Sequence, residues 1–202
     1  MSDLNFSFMH LDVLREISNI GTGKAVASLS TMLNKKVSME VPVVKLLDFK
    51  DVATAVGGAE NVVVAVLVNI NSENINGIMI FLIVHNNSLE LSNSLLNQQS
   101  TELGEMELSA LTEIGNILNS SYLGALAGLL DEKIGTSIPY LSVDMAAAIL
   151  SVPAIEFGKI SDKVLFIESV FHADDMDISG YFILVPDYNS FKFMFSKLGV
   201  DI

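Results

Sequence analysis

The chain has 202 residues, enough to bury a sizeable core, and half of them are hydrophobic. It contains no cysteine, which excludes disulfide scaffolds, thiolate zinc sites and cysteine nucleophiles together. A formal net charge of −13 argues against nucleic acid and anionic membrane surfaces, both of which attract basic patches.

A first helix is predicted from near Ser7 or His10 to about Leu33, closed by Asn34-Lys35-Lys36. Residues 37–47 read as a strand with Pro42 inside it, and a proline there implies an edge, a bulge or a strand start. Residues 51–56 read as a short helix before Gly57-Gly58. The β-branched runs 62–70 and 75–84 form a hairpin, and Ser88 caps a helix to about Asn97. The order then repeats. A long helix covers about 107–130, a strand 134–143, and a helix-like stretch 145–155 is interrupted by Pro153. Residues 163–172 and 180–185 form a second hairpin around the acidic ADDMDIS, and a last helix starts at Asp187 or Ser190. Runs such as VVVAVLV and IMIFLIV suit strands covered on both faces. The expected fold is one α/β sandwich of α+β character, with approximate internal twofold symmetry and about six strands. Its two repeated halves, residues 8–98 and 105–198, form a single domain.

Mean hydropathy is +0.50, so a membrane reading must be weighed. The longest uncharged helical stretch near the repeat, residues 114–130, carries Asn116, Asn119, Ser120, Ser121 and Tyr122. A span needs about 20 predominantly apolar residues, so this stretch fails on length and polarity. The start, MSDLNFSFMH, has neither a basic n-region nor an apolar h-region, and a cytoplasmic location is expected.

One short pattern occurs twice. Asp12, Glu16, Asn19 and Pro42 are matched by Ser109, Glu113, Asn116 and Pro139, each displaced by 97 residues. At about 100° per residue, positions i, i+4 and i+7 fall within roughly a 60° sector, so each copy sets a carboxylate beside a carboxamide on one stripe. Leu14, Ile17, Gly21, Ala25 and Met32 occupy the opposite side of the first helix. Leu111, Ile114, Leu118, Ala125 and Leu129 do so in the second. Apolar stripes face a core, which turns both Glu/Asn stripes outward. A carboxamide both donates to and accepts from one water molecule, which suits it to orienting an attacking water in phosphoryl transfer. The bland reading of an exposed Glu and Asn is a solvated helix face.

Other candidate motifs fail. GTGKA at 21–25 lacks the glycine that a phosphate-binding loop needs at position 18 and the Ser/Thr it needs at 25. Asp175-x-Asp177-x-Ser179-Gly180 begins like a calcium loop, but the position of its bidentate Glu is Pro186. His10, His85 and His172 have no neighbours at metal-ligand spacing.

The string D/S-x-x-x-E-x-x-N, followed after 22 residues by Pro, resembles the signature of the CheC/CheX/FliY phosphatases of bacterial chemotaxis. REISNIGTGKA and TEIGNILNSSYLGAL are similar to that family's helices, and two motifs without an appended switch domain resemble its CheC branch. The resemblance implies a phosphatase acting on the phospho-aspartate of the response regulator CheY, which brings its own Mg²⁺ and lysine. Carried over by motif position, Asn19 and Asn116 orient the hydrolytic water and Glu16 and Glu113 pair with the receiver's lysine. Asp12 and Ser109 assist docking at the rim, while Pro42 and Pro139 shape the strand below. It also implies the receptor deamidase CheD as a partner; the uncharged stretch after Asp144, MAAAILSV, is read either as its docking surface or, more simply, as a core helix. A non-enzymatic adaptor that binds a receiver or CheD is the alternative. No cofactor of the chain's own is expected.

Overall fold

The structure, a computed structural model, describes residues 8–157, 163–173 and 176–199, with side chains from Asp12 onward in the first helix. Fourteen elements follow in order: α1 (Phe8–Leu33), β1 (Val37–Met39), β2 (Val43–Asp48), α2 (Phe49–Ala55), β3 (Val62–Asn71), β4 (Asn76–Val84) and α3 (His85–Leu96), then α4 (Glu105–Leu130), β5 (Gly135–Thr136), β6 (Tyr140–Met145), α5 (Ala146–Phe157), β7 (Lys163–Ala173), β8 (Met176–Pro186) and α6 (Tyr188–Lys197). The second seven repeat the first seven in kind and order. Ser7 and Asp175, two positions used in the sequence reading, lie outside the described residues.

The sheet has eight strands where about six were expected. Each stretch read as one strand is two, because Pro42 and Pro139 immediately precede β2 and β6. A proline contributes no backbone N–H to a ladder, so the strand breaks and restarts there. Both pieces of the first stretch pair with β7, and both pieces of the second with β3. Each half therefore lends its opening strands to the hairpin of the other half. The path runs β1-β7-β8-β4-β3-β5, antiparallel throughout, with β2 and β6 alongside β7 and β3.

The central pair is β4 and β8, where Phe81 stands opposite Phe182. The cross pairings Val43 with Glu168 and Tyr140 with Leu67 identify equivalent positions in the two halves, and by that register Phe81 and Phe182 are equivalent. The internal twofold thus passes beside these two rings, whose centroids are 5.3 Å apart.

Alternate side chains of the sheet enter two cores. Val64, Met79, Phe81, Ile167, Phe182 and Leu184 pack under α1, α3, α4 and α6. Val63, Ile80, Leu82, Phe166, Tyr181 and Ile183 pack under α2 and α5. Coverage of both faces explains the unbroken apolar runs in an antiparallel sheet.

Several local expectations are corrected. Ser88 lies inside α3, where its hydroxyl donates to the His85 carbonyl, and does not cap it. Pro153 is accommodated within α5 and does not interrupt it. Residues 176–179 belong to β8, because the hairpin ladder continues to its tip, where Ala173 faces Met176. Met32 is only partly buried and Leu129 is exposed, since the drift of 3.6 residues per turn brings Leu33 and Leu130 onto the core side instead. Asp187 does cap α6, accepting from the Ser190 amide at 2.7 Å.

Near that tip, His172 Nδ1 meets Asp177 Oδ1 at 2.6 Å and its Nε2 faces Glu40 at 3.6 Å. The hydrogen bond to Asp177, aided by the charges of Asp177 and Glu40, raises the imidazole pKa above its ordinary 6.5. The stabilisation from this contact is fully present below about pH 6.5 and is lost as pH rises through the raised value. An NMR titration should show the His172 ring titrating above a free histidine, and D177N should bring it back.

Candidate functional site

α1 and α4 lie side by side on one face of the sheet and end alike. The left-handed residues Asn34 (φ 49°) and Asp131 (φ 51°) follow them at equivalent positions. Residues with short polar side chains tolerate that conformation and stop the helix. At the other end of α4, Glu107 accepts from the Gly104 amide at 3.0 Å and from the side chains of Ser100 and Gln98. The Ser100 hydroxyl, with the other donors, holds its carboxyl below the ordinary value, so a charge faces the N-terminal amides. That contact anchors the turn just ahead of Ser109.

On the outward stripes, Asp12, Glu16, Asn19, Ser109 and Glu113 are exposed, and Asn116 is half-buried. Among the described residues, none hydrogen-bonds or ion-pairs with the side chains of Glu16, Asn19, Glu113 or Asn116. Each helix thus presents one carboxylate and one carboxamide, three residues apart, with their hydrogen-bonding capacity unspent inside the chain. Asp12 differs. Its carboxylate meets Arg15 at 3.1 Å, a surface ion pair of small energetic weight. The residue equivalent to Arg15 is Thr112, whose hydroxyl turns back to the Leu108 carbonyl at 2.8 Å. The two stripes therefore share their Glu and Asn but not their charge environment.

The inward faces also differ, at positions the sequence reading left aside. Ser18 and Thr22 are buried in α1, and their equivalents Gly115 and Asn119 are buried in α4. Gly115 lets α4 lie directly on β3, because a Cβ there would come within 2.5 Å of Val66. Asn119 donates to the Val66 carbonyl at 3.0 Å. On α1, Ser18 meets the hydroxyl of Tyr122 instead. The available signal was polar residues on a stripe that should have been wholly apolar.

Pro42 is buried and Pro139 half-buried, each at the start of its strand. Asp144 is exposed on β6 and accepts from the Met145 amide at 2.7 Å. Tyr140, Val143 and Met145 are also exposed on this strand, as are Val152 and Ile155 on α5, while Ala146, Ile149 and Leu150 point into the core. Residues 21–25 lie within α1, in no loop that could cradle a phosphate. Among the described residues, no three His, Asp or Glu side chains are grouped to hold a metal ion, and no helix is long and apolar enough to cross a membrane.

Two segments, residues 9–46 and 106–141, match the model of the CheC-like family. They run from α1 into β2 and from α4 into β6, so the match falls on both copies of the repeat. Over 199 residues the chain is 32% identical to the CheY-P phosphatase CheC of Bacillus subtilis (strain 168), covering 95% of each. The chain belongs to the CheC-like family. Among solved structures, FliY of Thermotoga maritima superposes with a TM-score of 0.77 at 21% identity, over 97% of this chain and 98% of that one. CheX in a CheX-CheY-BeF3-Mg+2 complex from Borrelia burgdorferi does so with a TM-score of 0.53 at 18% identity, over 82% and 94%. Both structures share the fold of this chain.

Proposed function

We propose that this protein is a phosphatase that hydrolyses the aspartyl phosphate of a CheY-type response regulator. The observation that carries this reading is the pair of outward stripes, each with a Glu and an Asn that no described residue engages, on the helices that the family model matches. The name of the Bacillus subtilis relative supports the substrate.

In this reading Asn19 and Asn116 each hold a water molecule in line with the phosphorus, donating through the amide N–H and accepting through the carbonyl oxygen. Attack breaks the bond between phosphorus and the aspartyl oxygen, and the carboxylate leaves. Phosphoryl transfer asks mainly for positioning and charge stabilisation, so a carboxamide suffices where a nucleophile is not needed. Glu16 and Glu113 pair with a lysine of the receiver and anchor the docked helix, and Asp12 and Ser109 contact the rim. Mg²⁺ belongs to the receiver substrate. CheD is a second partner, docking around Asp144, where β6 and α5 expose apolar side chains on an outer strand. That patch also favours the alternative, an adaptor that binds without hydrolysing.

Decay of phosphate on a purified receiver, followed with and without this chain, separates the two. The phosphatase reading expects acceleration, and an unchanged decay, with or without CheD, makes the chain an adaptor. Changing Glu16 and Glu113 together to Ala should act mainly on the encounter, raising KM for the phosphorylated receiver more than it lowers kcat. An equal fall in kcat with KM unchanged would move the two Glu residues from docking into the chemical step.

A further inference from the structure

Tyr122 is wholly buried in α4, and its contacts reach across to the other motif helix. Ser18 donates its single hydroxyl proton to the Leu14 carbonyl at 2.7 Å, so the 3.2 Å contact between Ser18 and Tyr122 is donated by the phenol. Burial raises the pKa of that phenol, which keeps the donor protonated. Gly21 leaves room for the ring, since a Cβ there would lie 2.5 Å from Tyr122 Cδ2. On its far side the ring stacks on Phe182 at 5.6 Å, beside the internal twofold.

Ser18 and Gly21 bracket Asn19 and lie within five residues of Glu16. The segment that carries the first Glu/Asn pair is thus seated on a side chain of the second copy. The second pair is held differently, by Gly115 and Asn119 against Val66 of β3. The position equivalent to Tyr122 in α1 is Ala25, which can return no such contact.

We propose that Tyr122 is a positioning residue for the first site, supplied by the helix that carries the second, so that the two sites are held in register by independent means. This rests on the reading of Asn19 and Asn116 as the water-orienting groups.

The test uses the full chain carrying Tyr122→Phe, which keeps the ring and removes only the hydroxyl. It is made in Asn116→Ala, where the first site works alone, and in Asn19→Ala, where the second does. Loss of alignment should lower kcat at the first site by about 3- to 10-fold with KM nearly unchanged, and leave the second within about twofold. Gly21→Ala, which pushes on the same ring, should share that selectivity. The side-chain amide resonances of Asn19 and Asn116 in the free protein give a readout that needs no catalysis. With Tyr122→Phe the Asn19 pair should shift and the Asn116 pair should stay. Equal loss at both sites, no loss at the first, or an unmoved Asn19 amide overturns the proposal. If the variant lacking both Asn side chains still hydrolyses like the parent, the catalytic reading fails, and the amide shifts still decide whether Tyr122 positions the first stripe.

Discussion

Changing Asn19 and Asn116 together to Ala is expected to slow stimulated dephosphorylation by about 10²-fold or more, the usual cost of removing an oriented polar group from a transition-state array. The fold should survive, because neither side chain has a hydrogen-bond partner among the described residues and alanine is the best helix former. Circular dichroism and urea midpoints matching the parent would establish that survival. Each single change should leave the activity of the remaining site, and the two remainders should differ. The first stripe carries an Arg15 and Asp12 pair, where the second carries Thr112 and Ser109. Raising the ionic strength should therefore change the two remainders unequally. A double variant as fast as the parent would remove Asn from the water-orienting role.

The second large effect is on stability. Phe182→Ala should destabilise the protein by about 3–5 kcal/mol, the range for truncating a buried aromatic side chain. Phe182 is fully buried and touches three other rings, with centroid distances of 5.3 Å to Phe81, 5.6 Å to Tyr122 and 6.5 Å to Phe171. Ladders on both sides of β8 fix the backbone around it, so the sheet itself does not close over the gap. Urea denaturation followed by tyrosine fluorescence would read the shift. Val43→Ala, at a strand position that is 47% exposed, should stay within about 0.5 kcal/mol and serves as the control. A cost near that of the control would mean that the core beside the twofold closes over the gap.

What the amino-acid order determined by itself is what repeats over short distances. The phase of Asp12, Glu16 and Asn19 against Leu14, Ile17 and Ala25 follows from 3.6 residues per turn, and the structure buries and exposes them accordingly. The same holds for the twofold repeat of elements and for the doubly covered strands, since an unbroken apolar run needs a partner on each face. Tertiary structure decided what depends on residues far apart. The opening strands could have paired within their own half, and local propensity is silent on the choice. They pair with β7 and β3 across the halves because the hairpins' outer edges are otherwise open, and an open edge leaves backbone donors and acceptors unpaired. The same distance hid the role of Tyr122. Its helical phase says only that it is buried. The contact with Ser18 spans 104 positions, and only the packing of α1 against α4 brings the two hydroxyls together.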